Sequence, residues 1–321
     1  MKSQWVEPDI RDEVISWIEY WSERLEMKRK NLIKGIGISV SKFYDWSLHY
    51  GEVRLKVRPF NGWWGISMEE ERAILSYRLT HEFEGYRRLC YQMLDEDIVA
   101  VSPATVYRVL KKHRLLDRWN QRNESSKGVG FSQPIKPHQH WHVDIAYVKI
   151  QCAFYFLVSV LDGYSRYIVH SELRVHMEEF DVEVVIQRAL EKYPNIRPRI
   201  ISDNGSQFIS RDFKCFLGEK ELKHVRTSVR YPQSNGKIES FHKTIKRECI
   251  RKKSFLDIVD ARQIIEKYIE EYNCRRLHSG IYYLPPKDVL EEKKEQRLKE
   301  REEKLMRAKE KRKQMALETR L

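Results

Sequence analysis

The chain has 321 residues, 41% of them hydrophobic, with eight Trp and seventeen Tyr. That is enough for two or three packed domains and excludes a disordered polypeptide. Sixty Lys and Arg against 47 Asp and Glu leave a net charge of +13, which points to a polyanionic partner whose phosphates a basic surface neutralises.

From Arg197 to Pro286 there are 19 basic and 11 acidic residues, whereas from Lys136 to Asn195 there are 6 and 8. The excess sits downstream. Cys90, Cys152, Cys215, Cys249 and Cys274 are scattered without a CxxC pair, against a zinc ribbon or disulfide framework and in keeping with a reducing compartment. The start, MKSQWVEPDI, has no apolar signal core, and no run of about eighteen apolar residues occurs. A cytoplasmic protein without a membrane partner is expected.

Residues 1–56 read as a helical region. Apolar residues recur at helical spacing in IRDEVISWIEYWSERL, Gly35 and Gly37 make a turn, and Ser39 or Ser41 caps a short helix with Phe43, Tyr44 and Trp46. This is the outline of a helix-turn-helix, or of an ordinary helical hairpin. Residues 57–67 are a Gly- and Pro-containing linker. A second helical unit spans 68–119. Ser102 and Pro103 start its last helix, which presents Tyr107, Arg108, Lys111 and Lys112 on its polar side. Two such units in tandem favour DNA binding over a merely solvated basic face. Residues 120–137, polar with Gly, Ser and Pro, form a second linker.

From 138 to 286 the period changes. Strands are expected over HWHVDIAYVKI, AFYFLVSVLDG, SRYIVHSEL, RPRIISD and KHVRTS. Helices are expected over 177–193, 206–220, 235–249 and 255–273. The order β-β-β-α-β-α-β-α-α describes a mixed five-stranded sheet with flanking helices, an α/β fold. Residues 287–321 are a charged helical tail, solvated or frayed, with leucines too sparse for a coiled-coil seam.

Three acids stand at telling places. Asp144 lies inside the first strand, Asp203 ends RIISD before Asn204-Gly205, and Glu239 lies on a helix in GKIESFHKTIK. Position alone leaves them as three acids among 47. A carboxylate within an apolar strand is costly to bury unless it is paired or binds a metal. Three converging carboxylates suit a hard divalent ion such as Mg²⁺, and two such ions can clamp the attacking and leaving oxygens of a phosphodiester.

Five words then carry a resemblance: WHVDIAYV around Asp144, LDGYSRYIV at 161–169, SDNGSQF at 202–208, YPQSNGKIESFHKTIKRE at 231–248 and YNCRRLHSGIYYLPP at 272–286. With 35 residues between Asp203 and Glu239, they resemble the integrase-type catalytic core of insertion-sequence transposases and retroviral integrases, the DDE family.

The resemblance implies a ribonuclease H-like core over 138–286. It makes Asp144, Asp203 and Glu239 the catalytic metal ligands for Mg²⁺, which Mn²⁺ can replace, with no small-molecule cofactor. It implies hydrolytic nicking and strand transfer on double-stranded DNA, both element ends and target, by a homo-oligomer assembled on DNA in a bacterial, nucleoid-associated setting. Tyr231 to Lys237 would form a mobile flap. Lys243 and Lys246 follow Glu239 at i+4 and i+7, on one helix face, and with Lys237 are candidates for phosphate contacts. Family members often carry Thr where this chain has Ala146, which is not a ligand.

Arg276, near Pro285-Pro286, is expected to close the fold, with DNA contact as a second role. His138, His140 and His142 alternate before Asp144, which suggests packing or a hydrogen bond near Asp144 rather than zinc. Asp162, before Gly163, has a local turn explanation. The leading reading is a transposase that binds the terminal inverted repeats of its own element. The alternatives are a catalytically silent, transposase-derived DNA-binding regulator and a ribonuclease H-like nuclease with other substrates.

Overall fold

The computed structural model describes residues 6, 8–51, 65–116, 133–227 and 235–318. The expected linkers at 57–67 and 120–137 fall largely outside these residues, and the loop segment 231–234 falls wholly outside them. The chain divides into two compact units, Met1–Gly65 with Ala316–Leu321, and Ile66–Met315.

In the first unit, α1 (Pro8–Arg24), α2 (Arg29–Gly35) and α3 (Val40–Ser47) close around Ile15, Ile18, Ile33 and Phe43. Gly37 turns the chain at φ +79°, a conformation that a side chain would strain. Of the two candidate caps it is Ser39 that accepts the Lys42 N–H at the start of α3.

The second unit opens with α4 (Met68–Thr80), α5 (Tyr86–Asp95) and α6 (Pro103–Lys112) around Ile74, Leu89, Met93, Val106 and Leu110. A capping box between Ser67 and Glu70 starts α4. Ser102 caps α6, with Pro103 at its first position.

A five-stranded sheet follows, in the order β3-β2-β1-β4-β5. β1 (His140–Ile150), β2 (Ala153–Asp162) and β3 (Ile168–Arg174) form an antiparallel meander. β4 (Arg199–Ser202) and β5 (His224–Arg226) run parallel to β1 on its other side.

Alternation along β1 divides the core. Trp141 and Val143 face α7 (Glu179–Lys192) together with α8 (Ser206–Ile209) and α9 (Arg211–Glu219). Ala146, Val148 and Ile150 face α10 (Gly236–Glu248) and α11 (Ile258–Cys274). This is a ribonuclease H-like core preceded by a helical region. The single helix expected over 206–220 is broken at Ser210, which is extended (ψ 155°) and caps α9 by accepting the Phe213 N–H.

Asn273, near the end of α11, closes the layer over the edge strand β3. It accepts the Ile168 N–H at 2.8 Å and donates to the Ile168 carbonyl at 3.0 Å. Its side chain thereby satisfies both backbone groups of a residue that is itself buried.

The tail departs most from expectation. After α12 (Pro286–Leu290), α13 (Lys294–Glu318) is one long helix held to the α4–α6 bundle by arginine forks. Arg301 is buried, pairs with Asp95 at 2.8 and 2.6 Å, and donates to the carbonyls of Tyr282 and Tyr283. Arg312 reaches Glu70 at 3.0 Å. Docking through charge-assisted forks needs no apolar stripe, so the hydrophobic pattern gave no sign of it.

Substituting Asn273→Ala strands the Ile168 N–H and carbonyl. The expected cost is about 2–5 kcal/mol of folding stability, read as a lower urea midpoint. A midpoint equal to that of the parent chain would remove Asn273 from this role.

Candidate active site

Asp144 occupies the middle of β1, opposite Ser159 of β2. It is half-buried. Its Oδ1 accepts the Ile145 N–H at 2.9 Å, and its Oδ2 lies 3.2 Å from His242 Nδ1 on α10.

Asp203 follows the last residue of β4 and is also half-buried. β4 pairs with β1 in parallel, His140 with Arg199 through His142 with Ile201. Continuing that register by two residues sets Asp203 level with Asp144 on the neighbouring strand. Gly205 N–H donates to Asp203 Oδ1 at 3.0 Å, which bends the chain away at this point. Asn204 Nδ2 donates to the Thr227 carbonyl, and Thr227 N–H to the Ser202 carbonyl, so the strand end is tied to the end of β5.

Glu239 lies in the first turn of α10, exposed, one turn before His242. Helical spacing puts residues three apart on one face, so Glu239 stands on the side of α10 whose next turn touches Asp144. The start of this helix is pinned. Asn235 Oδ1 lies 3.4 Å from His142 Nδ1, and Lys237 Nζ donates to the Gly163 carbonyl at 2.7 Å. Gly163 has no room for a side chain, since a Cβ there would stand 2.9 Å from His142 Nε2 and 3.2 Å from the His140 carbonyl oxygen.

Asp144 and Asp203 thus lie level on neighbouring strands, and Glu239 stands exposed on α10 in the turn before His242. Among the described residues, no three His, Cys, Asp or Glu side chains stand together as a group that could hold a metal ion. The donor chemistry still fits a hard cation, because all three groups offer carboxylate oxygen.

Two family models, each described as an integrase core domain, match residues 134–232 and 220–286. The transposase for insertion sequence element IS904 of Lactococcus lactis is 30% identical over 182 residues, 53% of this chain and 72% of that protein. The chain belongs to the integrase-core family of insertion-sequence transposases. An uncharacterized 31 kDa protein of insertion element IS600 from Shigella sonnei is 24% identical over 268 residues, 78% of this chain and 94% of that one. Among solved structures, an intasome of simian T-cell lymphotropic virus in complex with PP2A regulatory subunit B56 gamma aligns with a TM-score of 0.45 at 14% identity, over 68% of this chain and 74% of that one.

The basic residues singled out in the transposase sequence have different fates. Lys243 is exposed and Lys246 half-buried on α10. Lys237 is spent on Gly163, and burial with Arg166 nearby pushes its pKa down to about 7, so it is not a permanent surface cation. Arg276 is locked onto Glu248 by two bonds of 2.7 and 2.8 Å and is largely buried. The structure gives it the fold-closing role and takes it out of the set of exposed cations.

On α6, Lys112 pairs with Glu71 at 2.7 Å. Arg108 bonds to Ala104 and Thr105 of its own helix, Lys111 lies 6.0 Å from the Tyr107 ring, and Tyr107 leans on Tyr86.

The alternating histidines do not act as one set. His138 precedes β1 at φ +58° and packs against Trp141 and Tyr193, because a left-handed residue breaks the strand alternation. His142 is buried, which pushes its pKa down to about 3, so its ring is neutral and bonds to Asn235 rather than to Asp144. Asp162 is a buried turn cap that accepts from Ser165 and from the His138 N–H.

The residue that does touch Asp144, His242, was not singled out by the sequence pattern. The available signal was its place three residues after Glu239 in an otherwise apolar helix stripe.

Burial alone would raise the Glu248 carboxyl, but Arg276, Arg247 and Tyr268 together hold its pKa down to about 2. A depressed carboxyl stabilises the fold above its unfolded pKa, roughly 4.3, and loses that contribution as pH falls through the folded value. Urea midpoints should therefore decline between about pH 4.5 and 2, and Glu248→Gln should flatten that part of the profile. An unchanged acid slope in the variant would count against the pair.

Proposed function

We propose that this transposase binds the terminal inverted repeats of its own insertion sequence and catalyses divalent-metal-dependent phosphodiester hydrolysis and strand transfer, with Asp144, Asp203 and Glu239 as the acidic triad. The observation that carries the reading is the parallel β1–β4 register. It aligns Asp203 with Asp144 on neighbouring strands, and Asp144 in turn touches His242, one helical turn along α10 from Glu239, in a chain of this family.

The three carboxylates would hold Mg²⁺ or Mn²⁺, and the ions, when bound, supply activation of the attacking oxygen and stabilisation of the leaving 3′ oxygen. The protein's own contribution is positional. His242 fixes the rotation of the Asp144 carboxyl. The ties Asn235–His142 and Lys237–Gly163 set the start of α10 and hence the place of Glu239. Lys243 and Lys246 continue along the same helix and offer positive charge to the phosphates beside the cut without reading sequence. α6, with Tyr107, Arg108 and Lys111 on its polar side, is the candidate for recognising the repeats in the major groove. Cutting and joining two ends calls for at least two copies assembled on DNA.

Asp203→Asn is expected to lose several kcal/mol of transition-state stabilisation, about 10³-fold in the rate of Mg²⁺-dependent nicking of a labelled element end. Binding of that duplex should persist. Full nicking by this variant would end the assignment, and an inactive parent chain that still binds the ends would favour the regulator.

Arg108→Ala with Lys111→Ala is expected to weaken binding of element-end duplex by about tenfold or more while sparing binding to unrelated duplex. Equal loss on both duplexes would make α6 a general phosphate contact. Point substitutions are preferable to deleting residues 1–119, since that deletion also removes the partners of Arg301 and Arg312 on α13.

A further inference from the structure

Beyond the proposed active site, positive charge is concentrated where α10 ends. Five of the eight residues from Lys246 to Lys253 are basic. The one acid among them, Glu248, is engaged from beneath by Arg276 and Tyr268. After Glu248 the chain tightens into a 3-10 turn, Ile250–Lys252, with Ile250 and Phe255 packed against the α10–α11 core. That anchoring turns Arg251, Lys252 and Lys253 outward. All three are exposed, and none forms an ion pair among the described residues.

This turn is one wall of an open cleft of about 820 Å³. Lys267 and Glu271 of α11 line it as well, and Glu84 in the lining is paired with Arg88 at 2.5 Å. The facing wall is the loop between α4 and α5, where Phe83 is 85% exposed. Lys252 Nζ stands 4.4 Å from the centre of the Phe83 ring.

A rigid turn that holds like charges side by side works against the fold unless something neutralises them. An apolar ring set among those cations is not part of any core. Cations with an interposed ring match a sugar–phosphate backbone, phosphates for the charges and a deoxyribose face for the ring.

We propose that this cleft seats the backbone of duplex DNA leaving the cut, with Lys252 and Lys253 on successive phosphates, Phe83 against a sugar, and Arg251, on the same turn but outside the cleft, on the adjoining phosphate. The proposal rests on the transposase reading and extends it to a surface remote from the acids. At about 1.5 Å per helical residue, the turn lies about 17 Å beyond Glu239, or about five base pairs of duplex at roughly 3.4 Å each. Lys243 and Lys246 lie between the two places on the same helix, so the track is continuous. The loop bearing Phe83 also makes the second wall depend on the docking of the α4–α6 bundle beside the catalytic core.

The test measures binding of the full chain to a labelled duplex of about 30 base pairs of arbitrary sequence, in EDTA, across about 50 to 200 mM salt. Three neutralised phosphates contribute about 2.7 to the slope of log affinity against log salt. The triple variant Arg251→Gln, Lys252→Gln, Lys253→Gln should lose that much slope. Across the range, the parent chain then loses about 40-fold more affinity than the variant.

The charge-keeping triple Arg251→Lys, Lys252→Arg, Lys253→Arg should restore the slope. Phe83→Ala should weaken binding several-fold at every salt concentration with the slope unchanged. A glutamine triple with the parent's melting temperature and the parent's slope overturns the cleft while leaving the transposase reading intact. A parent chain that fails to bind any duplex overturns both.

Discussion

The pairing of β4 alongside β1 is the constraint on which the arrangement depends. Parallel neighbours in a sheet are spaced by their hydrogen bonds, so once His142 is level with Ile201 there is little freedom in where the next residues go. The first strand carries an acid in its middle and the fourth is followed directly by one, and the register brings the two level. A slip of one residue would send Asp144 to the α7 side and bury it among Val182, Val185 and Ile186. The apolar alternation Trp141, Val143 against Ala146, Val148 opposes that slip, since each set has its own helical layer to fill.

The third acid is placed by a different kind of interaction. Packing alone puts Ile238, Phe241 and Ile245 of α10 on the sheet, which fixes the helix face but leaves its axial position soft. Polar ties settle the axial position. A neutral buried histidine, a glycine with no room for a Cβ and a lysine bonded to that glycine's carbonyl hold the helix start to β1 and to the turn after β2. Buried polar contacts of this kind have defined geometry and are expensive to leave unmade. They therefore specify position more sharply than apolar burial does.

The tail couples parts that the sequence presents as separate. Arg301 joins Asp95 of the helical bundle to the carbonyls of Tyr282 and Tyr283 in the segment after α11, and those two tyrosines sit at φ 60° and 56°, an uncommon conformation outside glycine. One side chain thus spans three stretches of chain. The consequence for function is that the α4–α6 bundle and the catalytic core share contacts within one compact unit, and a surface such as the Phe83–Lys252 cleft exists only because of that docking.

Much of this protein was determined by the sequence alone. Alternating and helical periodicities gave the strand and helix order of the core, because each element buries one face and its pattern records which one. The ordered words around Asp144, Asp203 and Glu239 gave the family. Tertiary structure decided what local pattern cannot encode. It put Asp203 level with Asp144, chose His242 rather than the alternating histidines as the neighbour of Asp144, and took Arg276 and Lys237 out of the pool of exposed cations. It also turned a charged tail into a brace. In each case the deciding partner lies far away in sequence, so the side chain's role depends on which distant groups satisfy its charge and hydrogen bonds. A single chain of letters lists those groups without pairing them.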